Sequence, residues 1–256
     1  MADRIRVAVT GPRGMLGRRV VAAMDQVAEV VPILERTDGT ADDPLLAALE
    51  LADPEWIINC LGQLDPADPD LFIANSLLPQ RLAARWPMRV ILASSDCVFA
   101  SRGHRLVSEP LDAIDPYGLS KRLGEAEGAH VIRCSIVDPA GGLLARAAAS
   151  PQFTGYTNHY WNGITTETWA AIAMRIIAGE LEGIVQPASG VVTKYELLVA
   201  ASRLFAWRTT IERGEAAEPV DRTLIPTISL PPIETQLTEM TKEIAAGRSP
   251  QGEPAI

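Results

Sequence analysis

Over the first half of the chain, short apolar runs alternate with longer stretches in which apolar residues recur every three or four positions. Ile5–Thr10, Val30–Leu34, Trp56–Leu61, Arg89–Ser94 and Ala129–Cys134 read as strands, and Met15–Gln26, Pro44–Leu51, Leu71–Arg85 and Tyr117–Glu127 read as the helices between them. A helix must carry the chain back between parallel strands, so this alternation predicts an α/β fold built on a doubly wound parallel sheet. After Cys134 the regularity stops. There 141–149, 166–179 and Lys194–Phe205 read as helices and 151–165 as a loop. From Pro231 onward the chain is weakly periodic and reads as irregular, with at least its last dozen residues mobile. The stretch Ala100–Pro116 is long and polar, as suits a segment over the mouth of a site.

The first strand runs directly into Gly11-Pro12-Arg13-Gly14-Met15-Leu16-Gly17 and then into a helix. In such a strand–turn–helix unit Gly11 permits the tight turn and Gly14 lets the backbone approach a pyrophosphate. Gly17 lets helix and strand pack closely, and the helix N-terminus faces the phosphate charge. The spacing is G-x-x-G-x-x-G rather than G-x-G-x-x-G, and it is the position after the first strand of an α/β pattern that favours a dinucleotide site in a Rossmann-like sheet. Expected cofactor contacts are Gly11, Arg13, Gly14, Met15, Leu16 and Gly17, with Cys60, Leu61 and Gly62 at the end of the third strand. Cofactor choice turns on the end of the second strand, where an acid binds a ribose 2′-hydroxyl and a base favours a 2′-phosphate. Glu35-Arg36 offers both, and Arg13 adds positive charge nearby, so NADPH is expected, with NADH as the alternative.

Bulk properties narrow the setting. The 256 residues, 47% of them hydrophobic, suffice for one substantial α/β domain with a small appended lobe. A net charge of −9 without a clustered basic stripe disfavours nucleic acid and anionic membrane surfaces as partners. Three cysteines, Cys60, Cys97 and Cys134, are odd in number and lack paired metal spacing, which fits free thiols in a reducing compartment and no metal site. Cys60 and Cys134 lie in apolar strands and read as core. No apolar run reaches about 18 residues and no charged-then-apolar leader precedes the first strand, so a cytoplasmic location is expected.

The candidate chemistry lies in Asp115-Pro116-Tyr117-Gly118-Leu119-Ser120-Lys121. Helical spacing sets Tyr117 and Lys121 on one face, where the ammonium would stabilise the phenolate. It would depress a pKa that is ordinarily about 10, so that the tyrosine could exchange a proton near neutral pH. Of 23 basic residues only three are Lys, yet position 121 is Lys beside Arg122, which suggests a site where the two are not interchangeable. An ordinary surface helix accounts for the spacing alone equally well. The fourth strand ends in Ser94-Ser95-Asp96-Cys97-Val98-Phe99, and hydroxyls at the carboxyl end of a parallel strand face the ligand crevice.

The glycine turn, the Asn59-Cys60 strand end, the Ser94–Phe99 run and Pro116-Tyr117-Gly118-Leu119-Ser120-Lys121 together resemble the extended short-chain dehydrogenases/reductases. More narrowly, they are similar to the reductases of nucleotide-linked 4-keto sugars typified by dTDP-4-dehydrorhamnose reductase, enzymes of polysaccharide and glycoside biosynthesis. The resemblance continues through Ile132–Ser135 and Gly155–Thr166, weakly through Asp221–Leu224, and covers most of residues 4 to 225. It implies that Tyr117 donates a proton to a carbonyl oxygen as hydride arrives from nicotinamide. Lys121 would lower the tyrosine pKa and hold the nicotinamide ribose, and Ser95 would hydrogen-bond the carbonyl. It also implies a dinucleotide-binding core in 1–140, a nucleotide-sugar lobe in 141–230 and an irregular tail in 231–256. Ser95, Asp96, Cys97, Asn158, His159, Trp161 and Arg222 would meet the substrate, and Arg133 is a further candidate for its diphosphate.

Two rival readings accompany this one. An epimerase would use Cys97, two residues after Ser95, as an acid/base; a non-catalytic regulatory subunit would keep the dinucleotide fold for partner binding. The 4,6-dehydratases place an Asp-Glu pair after the catalytic hydroxyl, whereas here Asp96 is followed by Cys97, which argues against dehydration. The chain departs from the family pattern in a compressed Leu61–Asn75 stretch and a brief 135–155 region. A homodimer is left open.

Overall fold

The computed structural model describes residues 4–100 and 102–246. In chain order the first elements are β1 (Arg6–Thr10), α1 (Met15–Met24), β2 (Glu29–Ile33), α2 (Pro44–Ala52) and β3 (Trp56–Asn59). A π-helical turn, Ile73–Leu77, leads into α3 (Leu78–Arg85), and β4 (Val90–Ala93) is followed by a 3₁₀ turn, Asp96–Val98. Then come α4 (Pro116–Leu123), β5 (His130–Ile132), β6 (Ile136–Val137), α5 (Gly142–Ala148), β7 (Gln152–Tyr156), β8 (His159–Trp161) and β9 (Ile164–Thr165). The remainder is α6 (Thr166–Ile177), β10 (Ile184–Val185), β11 (Pro187–Ala188), β12 (Val192–Thr193) and α7 (Lys194–Leu204), ending with β13 (Thr210–Gly214), β14 (Val220–Asp221), β15 (Ile228–Ser229) and α8 (Ile233–Ala245).

Two compact units result, one of residues 4–100, 110–133 and 170–185, the other of residues 102–109, 134–169 and 186–246. The division falls at 133/134 rather than at 140, and 170–185 returns to the first unit, where β10 supplies a strand.

The first unit is the expected doubly wound sheet, six strands in the order β10-β5-β4-β3-β1-β2, every pair parallel. From β1 the chain moves to β2 on one side and then crosses to β3 on the other, so the strand order reverses at β1. In such sheets ligands bind outside the carboxyl ends of the strands at this reversal. Pro32 lies in β2 because β2 is an edge strand, whose outer side needs no amide donor. Ala8, Ile57, Val90, Leu92 and Val131 of the strands pack with Leu45, Leu46 and Leu49 of α2 and with Leu78 and Leu82 of α3. Each such aliphatic side chain contributes about 1.5–3 kcal/mol by leaving water. Asp43 starts α2 by accepting bonds from the amides of Leu45 and Leu46, with Pro44 at the first helical position.

In the second unit the structure departs from the sequence reading twice. The stretch 151–165 is not a loop but carries β7, β8 and β9, paired in turn with β13, with β12 and β14, and with β6. These strands of two to five residues find partners far along the chain, which no local pattern encodes. The segment from Pro231 contains the helix α8, whose buried Ile233, Gln236, Leu237 and Met240 follow helical spacing. Ile233 and Leu237 pack with Leu197, Leu198 and Ala201 of α7, and the Gln236 carboxamide accepts the Thr165 amide at 3.1 Å. Residues 247–256, the rest of the expected tail, lie outside the described residues.

Part of the polar segment after Ala100 is held within this second unit. The Gly103 amide donates to the Asp221 carbonyl at 3.0 Å, the His104 amide to Thr223 Oγ1 at 2.9 Å, and Gln186 Nε2 to the Arg105 carbonyl at 2.8 Å. No helix among the described residues is long and apolar enough to cross a membrane.

Candidate active site

The carboxyl end of β1 turns sharply at Gly11, whose φ of +62° is a conformation that only glycine adopts without strain. A Cβ on Gly17 would fall 2.0 Å from the Gly11 carbonyl oxygen, so the glycine there lets α1 settle directly on the turn. Gly14, exposed, is the N-cap of α1 and has no side chain to cap the first helical amides, and no acidic residue occupies the first turn. Free amide groups, a positive helix end and no competing carboxylate fit a pyrophosphate. Next to this turn, Thr10 Oγ1 donates to Asn59 Oδ1 at 2.6 Å and ties the ends of β1 and β3 together. Leu61, half-buried, presses its backbone to within 3.1 Å of where a Gly11 Cβ would be, and Gly62 is exposed beyond it. Burial pushes the Cys60 thiol far up, which keeps it an uncharged packing group.

Beyond β2 the two candidate recognition groups differ. Glu35 folds back, its carboxylate accepting the Leu34 amide at 3.1 Å. Arg36 and Arg13 are both exposed, and neither guanidinium is tied down among the described residues.

A second helix descends on the end of β4. Asp115 caps α4 by accepting the Gly118 amide at 2.9 Å, with Pro116 preset at the first helical position. A Cβ on Gly118 would fall 2.4 Å from the Cys97 carbonyl oxygen, so this glycine lets α4 press against the 96–98 turn. On its far side α4 is braced by the π turn: Asn75 Nδ2 donates to Ser120 Oγ at 3.0 Å, and a Cβ on Gly124 would fall 1.9 Å from the Asn75 carbonyl. Asn75 and Gly124 were not foreseen from the sequence.

This double bracing brings Ser95, Tyr117 and Lys121 together. The Ser95 hydroxyl donates to Asp96 Oδ1 at 3.0 Å, accepts the Cys97 amide at 3.1 Å and pulls on the Tyr117 phenol. Lys121 donates from Nζ to the Ala93 carbonyl at 2.6 Å, the last residue of β4.

The expected electrostatics are reversed at the tyrosine. Burial, followed by the neighbouring Cys97 and Asp96, pushes the Tyr117 phenol well above its ordinary value, against a smaller downward pull from Ser95. Lys121 does not depress it, because its ammonium is drawn to Ala93 and is itself weakened. Burial lowers the lysine pKa to about 8, while Glu125 and then Cys97 act to raise it. Tyr117 is therefore a neutral phenol at neutral pH, the form that can give up a proton.

Beneath these groups lies a buried ion pair. Arg133 clasps the Glu125 carboxylate from Nε at 2.8 Å and from Nη2 at 2.5 Å, and Ser94 Oγ donates to the same carboxylate at 2.5 Å. Arg133 also stacks over Phe99. Committed in this way, Arg133 cannot be a diphosphate contact, and Ser94 serves the carboxylate rather than the backbone. The sequence signal for Glu125 was its position four residues after Lys121; in the structure it lies just past the end of α4.

Among the substrate contacts expected in the second unit, two are spent on structure. Trp161 is 1% exposed in the core with Leu197 and Leu237, and the Asn158 carboxamide holds both backbone groups of Ala216, at 2.7 and 3.0 Å. His159 lies against the Tyr156 ring with its Nε2 buried and unpartnered, and burial together with Lys194 lowers its pKa. Arg222, half-buried, anchors its amide on the Tyr160 carbonyl at 3.1 Å. Among the described residues no group of three or more His, Cys, Asp or Glu could hold a metal ion.

A parallel sheet opening on a glycine turn, with tyrosine and lysine one helical turn apart beside a strand-end serine, is the architecture of an NAD(P)-dependent oxidoreductase of the extended short-chain type. Residues 7–133 match the model of the NAD dependent epimerase/dehydratase family. No curated protein matches it in sequence. Among solved structures it is similar to the dTDP-4-dehydrorhamnose reductase of Bacillus anthracis in complex with NADP, at 16% identity and a TM-score of 0.80, covering 94% of this chain and 99% of the other. It is similar also to the reductase of that activity from Clostridium acetobutylicum, at 16% identity and a TM-score of 0.78, covering 94% and 100%. A third similar structure is MoeE5 in complex with UDP-glucuronic acid and NAD, at 15% identity and a TM-score of 0.74, covering 94% and 99%. At these identities the likeness is one of fold.

Proposed function

We propose that the protein reduces the 4-keto group of a nucleotide-activated deoxysugar with NADPH, and that Tyr117 donates the proton. The observation that carries this reading is a neutral, half-buried Tyr117 beside Ser95 and one helical turn from a part-buried Lys121. A nicotinamide dinucleotide, when bound, supplies the hydride that goes to the carbonyl carbon. Ser95 orients the carbonyl oxygen, and Tyr117 passes its phenolic proton to that oxygen. The glycine turn and the uncapped end of α1 would hold the pyrophosphate, and Lys121 the nicotinamide ribose. The two unengaged arginines, Arg13 and Arg36, favour the 2′-phosphate of NADPH over NADH, since Glu35 is turned onto its own strand end.

The similar reductase structure bearing NADP, and MoeE5 bearing a nucleotide sugar, support a nucleotide-sugar substrate. The test is whether purified protein oxidises NADPH when, and only when, a 4-keto nucleotide sugar is present. No oxidation with dTDP-, UDP- and GDP-linked 4-keto sugars would defeat the reading.

A second reading, epimerisation next to the ketone, rests on Cys97, whose charge would act on both Tyr117 and Lys121. Turnover in deuterated water separates the two, because only epimerisation exchanges protons on carbons beside the carbonyl.

A further inference from the structure

Glu125 stands apart from the reaction as described, yet it is the most firmly held acid near the site. Its side chain is 5% exposed and that of Arg133 only 2%. Three bonds from Arg133 and Ser94 fix both carboxylate oxygens. Ser94 directly follows Ala93, whose carbonyl receives the Lys121 ammonium, so adjacent residues at one strand end hold the lysine and Glu125. Removing either partner of such a buried pair strands an uncompensated charge, while replacing both together is often tolerated.

We propose that Glu125 is a positioning residue for Lys121: clamped by Arg133 and Ser94 just past the end of α4, its carboxylate keeps the lysine in its ammonium form against the Ala93 carbonyl. This rests on the role given to Lys121 above. The titratable groups acting on the lysine are Glu125, just past the end of α4, and Cys97 on the 96–98 turn, and β4 contributes the neutral Ala93 carbonyl. Burial already weakens the ammonium, and Glu125, ahead of Cys97, opposes that loss. Arg133 holds that carboxylate and is not among the charges acting on the lysine.

The experiment reads Lys121 directly. Protein made with ε-¹³C lysine has three lysine resonances, from Lys121, Lys194 and Lys242, and a Lys121→Arg sample identifies the first. In the wild type its titration midpoint is expected at about 8. In Glu125→Gln combined with Arg133→Met, which removes the pair without stranding either charge, the midpoint should fall by about one unit or more. Glu125→Asp, which keeps the charge, should stay closer to the wild type. A folded double variant with an unmoved midpoint would falsify the proposal, as would equal shifts in the Asp and Gln variants. The measurement needs no substrate. If the wild type reduces no 4-keto sugar while the midpoint still moves, the reaction assigned above fails and the link from Glu125 to Lys121 stands. An unmoved midpoint in an active reductase sinks the positioning role alone.

Discussion

At the end of β1 a Cβ on Gly17 would fall 2.0 Å from the Gly11 carbonyl; at the end of β4 one on Gly118 would fall 2.4 Å from the Cys97 carbonyl. Both strand ends thus use a glycine to bring a helix down onto a turn, but they present different chemistry. The first offers an exposed, uncapped helix start, backbone groups that stay hydrated until an anion arrives. The second offers Ser95, Tyr117 and Lys121, largely withdrawn from water, and there each charge needs a partner: Ala93 for Lys121, Arg133 and Ser94 for Glu125. Backbone recognition leaves the local electrostatics almost untouched. Side-chain chemistry reshapes them, which is why the tyrosine and lysine depart from their ordinary pKa values and the glycine turn needs no buried ion pair.

The sharpest separation of the two ends comes from Tyr117→Phe. Turnover of a 4-keto nucleotide sugar should fall about a hundredfold or more, while NADPH affinity measured by fluorescence titration stays near the wild type. Retained turnover would remove Tyr117 from its assigned role. The complementary change is Arg36→Ala, which should weaken NADPH by about 1.5–3 kcal/mol, the range for hydrogen bonds to charged groups, with NADH almost unaffected. Equal weakening of both cofactors would show that Arg36 does not read the 2′-phosphate.

Gly17→Ala and Gly118→Ala form a crossed pair. Each should lower stability by about 1–3 kcal/mol through overpacking, read as a shift of the urea midpoint. Gly17→Ala should then damage cofactor affinity more than turnover, and Gly118→Ala the reverse; the same pattern in both would erase the distinction between the two strand ends. Acidity gives a milder test. Lys121 is a cation below about 8 and loses its charge as pH rises through that value, while the raised Tyr117 keeps its proton. Reduction should therefore hold steady through neutral pH and decline as pH rises past about 8; a rate that climbs there would mean that a phenolate is the working form. The smallest effect is expected of Cys97→Ser, with reduction kept within a fewfold and no solvent deuterium incorporated beside the ketone by the wild type. Incorporation that disappears in the variant would favour epimerisation.

The sequence by itself determined the parallel sheet, the glycine turn and the shared face of Tyr117 and Lys121. Those features are written in local spacing: strand runs, helical periods and glycines at a turn are properties of neighbouring residues. The stripe Ile233, Gln236, Leu237, Met240 belongs with them, a legible helix passed over for the surrounding Pro and Glu residues. What only the tertiary structure decided is how distant segments use one another. The pairing of β7 with β13 turned an apparent loop into a strand, and packing against α7 and α8 took Trp161 into the core. Arg133 was likewise a free cation in the sequence and a buried partner of Glu125 in the fold. The reversed pKa of Tyr117 has the same origin. Helical spacing brings an ammonium to the phenol, but burial and the neighbours supplied by the β4 turn set the local field, and desolvation in a folded interior outweighs a charge that is itself drawn toward the Ala93 carbonyl.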